Sequence, residues 1–411
     1  MRYLGFIFVF LVLVTINTLG VVVAQPTSQV PAATYDDRLR FDYSDWDSLL
    51  LETVFVNGLS DRIPARRPRP EMGTFAVRGN KSKTRLEANR VFYHAISDGG
   101  KDYVRQVRLA LQSLPDQVPL AKFHPDERLA FWLNLRNLTV FEAILDEYPI
   151  GRLERFLKKL SKDKRITVEG KAMSIGDIEA HVKANWKSPY VMYGFYNGTI
   201  GGPNLRIRAF TRKNVWEYLE RNAREFIESL RGVQFDDNVA KVSTLYKNHA
   251  DLFPNFNADL RAHMLEAANP DMADRIRQTD TIKTTVEDWY LADLYSGTYG
   301  TGSAAMVGPA ALLTAFGDSI DAGHSGNVSL RTPGPGEEMV PLGDTMGILS
   351  RGMNNLALQG HPLRVQELLE RWYMRHADSR HGTVSIDEVE NSDRRVITPT
   401  DQKEDENEPN D

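Results

Sequence analysis

Asp177 and His181 stand four residues apart, so on a helix they would share a face and could work as an acid–histidine pair, the carboxylate orienting an imidazole base. Ser174-Ile175-Gly176-Asp177 also fits a capping box, in which Asp177 satisfies a backbone donor and does no chemistry, and this is the preferred reading. Glu179 has no such local role. Next to Ile178, a buried carboxylate there would need a partner, and Arg206 or the backbone amides of the Gly194–Gly202 loop could supply one. Glu179 and His181 are therefore the catalytic candidates, with a structural Glu179–Arg206 pair as the competing expectation.

Asn134 and Asn137 lie three apart on an otherwise apolar helical stretch. Buried amides must find partners, so the two either fasten neighbouring backbone or meet a ligand. The loop Gly194 to Gly202 could turn several N–H groups toward an oxyanion or phosphate, with a tight turn as the alternative. It lacks the Gly-Lys-Ser/Thr of a nucleotide loop and the spacing of a dinucleotide fold. No GxSxG, HExxH or EF-hand loop occurs, and His124, His249, His263, His361, His376 and His381 show no ligand spacing. Neither a metal nor a cofactor is expected. Cysteine is absent, which removes disulfides, thiolate metal sites and thiol nucleophiles together.

These residues sit in a chain of 411, of which 42% are hydrophobic and 26% charged, enough apolar material for a large core. The formal charge is −5; residues 1–24 carry +1 and residues 401–411 carry −5, leaving −1 on the body. That balance gives no sign of nucleic-acid binding. Arg2 precedes an uncharged run from Tyr3 to Ala24 with an apolar centre at Phe6–Val14, and Val22-Val23-Ala24 before Gln25 reads as a cleavage point. We expect a signal peptide over 1–24, export to the periplasm or beyond, and no membrane span after cleavage. An uncleaved anchor is the alternative.

The expected organisation is a linker over 25–39, a main domain over 40–295, a glycine-rich extension over 296–390 ending in a helix, and a disordered acidic tail over 391–411. Residues 62–70, with three prolines, read as an extended, solvated arginine-rich crossover. Helical spacing marks Tyr103–Leu114, Leu129–Leu145, Leu153–Leu160, Val215–Leu230, Leu260–Ala268 and the stretch after Pro362. The Lys/Arg-rich positions between Arg152 and Arg165 read as a solvated face over a short apolar stripe. Ile166–Met173 reads as a hairpin turning at Glu169-Gly170, and Val191-Met192-Tyr193 as a strand. The fold class is α+β, mainly helical with a small antiparallel sheet.

Ala130-Phe131-Trp132-Leu133-Asn134-Leu135-Arg136-Asn137 resembles the AFWINLYNA helix of domain-of-unknown-function family 547. Three further blocks follow in order. Gly170–Glu179 resembles the family's glycine hairpin and SLDDIE helix start; Gly201–Arg206, with Ala209-Phe210-Thr211 and Val215-Trp216, resembles its PxLR and (Y/F)T block; and Asp288-Trp289-Tyr290-Leu291 resembles its closing DWSL. Together they cover about residues 80–295. The resemblance implies a compact α+β domain and thiol-hydrolase-like activity, because many members carry cysteine before the PxLR block. Here that stretch, Tyr193 to Gly202, has no thiol; Ala180 stands where members often have His, and Arg136 where they usually have an aromatic residue. The expected function is accordingly a binding or scaffold protein without thiol catalysis, for an unknown ligand or protein partner. Asn134, Asn137, Asn197, Gly198, Gly201, Gly202, Asn204 and Arg206 are the ligand-binding candidates. The alternative is a hydrolase of peptides or esters using activated water or a hydroxyl such as Thr199.

Overall fold

The computed structural model describes residues 35–66, 80–295 and 363–378. The expected leader, most of the linker, most of the glycine-rich extension and the acidic tail lie outside the described residues.

One helix organises the molecule. Helix α3 (Pro125–Glu147) carries apolar side chains around its whole circumference, and a helix of that kind must be enclosed on all sides. From Leu129 to Leu145 every residue is buried. It begins where Pro125 takes the first helical position and the His124 ring accepts the Asp126 N–H at 3.1 Å. Around it pack α2 (Asp98–Gln117), α5 (Ile175–Asn185) and α6 (Val215–Glu228). Before it come α1 (Ser44–Thr53) and the short pair β1 (Val54–Phe55) and β2 (Arg90–Val91); after it, α4 (Glu154–Leu160). In α2 the buried Val104, Val107 and Leu111 face inward, whereas Tyr103, assigned to the same face by spacing, is exposed.

Strands β3 (Ile166–Val168) and β4 (Lys171–Met173) form the expected hairpin. Glu169 and Gly170 both have positive φ, 48° and 73°, as a two-residue turn between right-twisted strands demands. The expected strand at Val191–Tyr193 is instead part of a 3₁₀ segment, Pro189–Gly194. Ser188 accepts the Tyr190 N–H through its Oγ, and Pro189, with φ fixed near the helical value, favours a helical start over an extended one. The composition of Val191, Met192 and Tyr193 reflects complete burial, not pairing.

A three-stranded sheet arises where spacing gave no strand: β5 (Val233–Asp236) pairs antiparallel with β6 (Val239–Ser243), and β6 pairs parallel with β7 (Thr281–Val286). The crossover between β6 and β7 contains α7 (Thr244–Asn248), α8 (Phe256–Ala267) and α9 (Pro270–Arg277). The fold is mainly helical α+β with small, mostly antiparallel sheets. A last helix, α10 (Leu363–Asp378), buries Val365, Leu368, Leu369 and Trp372 in a second apolar cluster with Leu86, Phe92, Leu294 and Tyr295. Among the described residues no helix is long and apolar enough to cross a membrane.

Candidate functional site

The motif residues converge because α3 supplies one wall and the 189–211 segment wraps against it. Asn134 clamps Phe210 at both backbone groups, donating from Nδ2 to its carbonyl at 2.6 Å and accepting its N–H at 3.0 Å. One turn later Asn137 donates to Gly194 O at 2.9 Å and accepts the Tyr196 N–H at 3.2 Å. Both asparagines thus fasten backbone, where an apolar residue would leave buried amides unpaired.

Glu179 is paired, though not with Arg206. Arg136, on α3, donates from Nε at 3.0 Å and from Nη2 at 2.6 Å, both to Glu179 Oε1. Its Nη1 donates to Asn137 Oδ1 and to the Tyr196 carbonyl, and the guanidinium lies 5.2 Å from the Phe195 ring centre. Arg136 is the position where the motif that this helix resembles usually has an aromatic residue. Burial pushes the Glu179 carboxyl up, but the Arg136 charge and hydrogen bonds outweigh it and hold it below its usual range. Arg206 faces elsewhere: its Nη1 donates to Asn222 Oδ1 at 3.1 Å and its guanidinium covers Tyr218 at 4.3 Å. The expected Glu179–Arg206 pair is replaced because the loop after Gly202 carries Arg206 toward α6, while α3 presents Arg136 directly to α5.

The acid–histidine pair does not form. Asp177 accepts the Ser174 N–H at 2.8 Å and its hydroxyl at 2.9 Å, while Ser174 Oγ accepts the Asp177 N–H at 3.1 Å, a complete capping box. His181 packs against Trp132 with ring centres 4.8 Å apart. Burial lowers its pKa, with Lys171 and Arg128 acting in the same direction.

The Gly194–Gly202 loop is tied inward. Thr199 N–H and Oγ1 both donate to Asn197 Oδ1, Ile200 N–H donates to Tyr290 O, Gly201 N–H to Asp288 O and Gly202 N–H to Thr199 O. Ala292 N–H returns a bond to Gly198 O, so the loop and the Asp288–Ala292 block are stitched together. Gly198 adopts φ +77°, and a Cβ there would stand 2.3 Å from Ile144 Cδ1. Asn204 accepts the Asn89 N–H at 2.8 Å. Beside Asn197 and Thr199 the surface holds a recess of about 20 Å³, lined also by Asn248 and Trp289, which has room for about one water molecule.

Spacing missed two groups. His249, at the end of α7, is buried against Phe195 and interacts electrostatically with Glu179; burial depresses its pKa to about 4, and its Nδ1 has no partner among the described residues. Asp288 is a buried carboxylate that accepts from Asn80 Nδ2, Thr84 Oγ1 and Tyr290 N–H. The DWYL resemblance is the sequence signal for Asp288; His249 has none, because the β5–α7 region that places it carries no strand spacing. Among the described residues no group of three His, Asp or Glu side chains is arranged to hold a metal ion.

Residues 120–227 match the model of a family described as protein of unknown function, DUF547. The resemblance is thus established for the helix, hairpin and PxLR blocks, while the DWYL block lies beyond the matched DUF547 segment. No curated protein and no solved structure matches the chain.

Proposed function

We propose that this is an exported binding or scaffold protein in which the DUF547 fold is kept and thiol catalysis is lost. The reading rests on one observation: Arg136, a departure from the motif the helix resembles, takes Glu179 as its counter-ion and grips the Tyr196 carbonyl in the stretch where many members carry cysteine. A carboxylate held ionised by a buried guanidinium is a poor proton acceptor, and Asn134, Asn137 and Asp177 are joined to backbone. Export is supported by the composition of residues 1–24. The binding surface is the outer side of the Asn197–Arg206 block, where Asn197, Asn204 and Arg206 retain donors beyond their internal bonds.

A second reading, a peptide or ester hydrolase using activated water, is favoured by the unpartnered Nδ1 of His249 beside Glu179. Among the described residues, Glu179 Oε2 accepts no hydrogen bond. Hydrolysis of activated esters and peptide anilides by the wild-type chain, His249→Gln and Glu179→Gln separates the two. The binding reading expects background rates from all three. A wild-type rate abolished by either substitution would establish the hydrolase instead.

A further inference from the structure

Helix α10 lies in a groove that has both an apolar floor and a charged rim. Trp372 is the anchor: its ring centre is 5.6 Å from that of Phe55, and its Nε1 donates to Val56 O at 3.1 Å. On the rim, Asp61 accepts from Arg371 at 3.0 Å and from Arg375 at 3.2 Å; Arg375 also donates to Leu86 O at 3.2 Å and stands 3.7 Å from Glu87; and Arg85 pairs with Glu367. A lone helix of 16 residues is marginal in water, so the groove is what orders α10.

The segment 80–92, which supplies Arg85, Leu86 and Glu87 to this groove, also holds the motif block from its other side. Asn89 donates its N–H to Asn204 Oδ1 at 2.8 Å and its Nδ2 to Leu205 O at 3.0 Å. Ala88 packs with Ile200 and Ala292. Between the two grips Ala88 has φ +67°, a conformation unfavourable for alanine, and the buried Arg90 braces it by donating to the carbonyls of Arg85 and Ala88. One short segment therefore touches α10 with Leu86 and Glu87, and the Asn204 side chain and Leu205 carbonyl with Asn89.

We propose that this groove is a receptor for an amphipathic helix of alternating charge, filled by the chain's own α10, and that its occupancy sets the order of the Asn204–Arg206 block through residues 85–92. The proposal deepens the binding reading by giving that surface a regulator. A helix that belongs to the same chain binds intramolecularly, so a free copy of it competes poorly until the internal one is weakened.

The test uses the full chain and a labelled synthetic peptide of residues 363–378. Trp372→Ala weakens the internal helix, and amide hydrogen exchange then speeds up about tenfold over 363–378 and several-fold over 196–206, with α3 unchanged. The peptide binds this variant saturably, at least about tenfold more tightly than wild type, and returns exchange over 196–206 to the wild-type rate. Adding Asp61→Asn, which keeps the side-chain shape, lowers peptide affinity about tenfold. Absence of saturable binding to Trp372→Ala overturns the proposal. So does faster exchange in α10 that leaves 196–206 untouched. The measurements are made without any ligand at the Asn197–Arg206 surface, so failure of this coupling leaves the binding reading to its own hydrolysis test.

Discussion

Replacing Glu179 by Gln isolates what the Arg136 pair contributes. The Arg136 side chain is 4% exposed and Glu179 22%, so the arginine charge is enclosed while the carboxylate keeps some contact with water. Breaking a fully buried pair on one side costs about 3–5 kcal/mol. Gln retains an acceptor for Nε or Nη2, and Nη1 keeps Asn137 Oδ1 and Tyr196 O, so the expected loss for Glu179→Gln is nearer about 2–3 kcal/mol. Arg136→Met removes the ion-pair partner of a confined carboxylate and unties the Tyr196 carbonyl, and its loss is expected at about 3–5 kcal/mol. In the double variant neither charge remains, so the second substitution costs little and the coupling energy is about 2 kcal/mol. Urea unfolding of the four proteins measures it. The sign of the pH effect follows from the depressed folded-state pKa of Glu179: its contribution is complete above the unfolded value of 4.5 and disappears as pH falls through the folded one. Wild type therefore loses an acid-side increment that Glu179→Gln lacks. Additive losses, or a coupling under about 0.5 kcal/mol, would refute the pairing argument.

Three further outcomes follow from the same geometry. His249 has a folded pKa of about 4 against 6.5 for the free side chain, so the unfolded chain binds more protons between these values and stability falls as pH drops through that window, by up to about 3 kcal/mol; urea midpoints of His249→Gln should show a shallower decline. Asn134→Leu leaves the N–H and carbonyl of Phe210 without their partners and is expected to cost about 2–4 kcal/mol in denaturant melts, whereas loss of a merely ligand-binding amide would leave stability unchanged. Gly198→Ala meets both a positive φ and Ile144 Cδ1, so we expect a loss of about 2 kcal/mol or more, which shortening Ile144 to Val should partly restore; thermal melts of the single and double variants check this.

The sequence alone determined whatever depends on neighbours along the chain. The apolar circumference of α3, the Ser174–Asp177 box and the Glu169-Gly170 turn are local arrangements, each specified within a few residues, and each forms where spacing placed it. The motif resemblance belongs to the same class, and the 120–227 match agrees with it. Spacing could also say that Asn134, Asn137 and Glu179 needed partners, because burial of polar groups carries that demand wherever it occurs. Tertiary structure decided who those partners were. Arg136 and Glu179 are 43 residues apart, and only the packing of α5 on α3 makes them a pair in preference to Glu179 and Arg206. The same holds for β6 with β7, a parallel pairing across three helices, and for His249, which meets Phe195 only once that sheet has turned α7 inward. Val191–Tyr193 shows the converse: an apolar β-branched and aromatic run describes an enclosed environment, and the cap at Ser188 and Pro189 then selects 3₁₀ geometry over a strand.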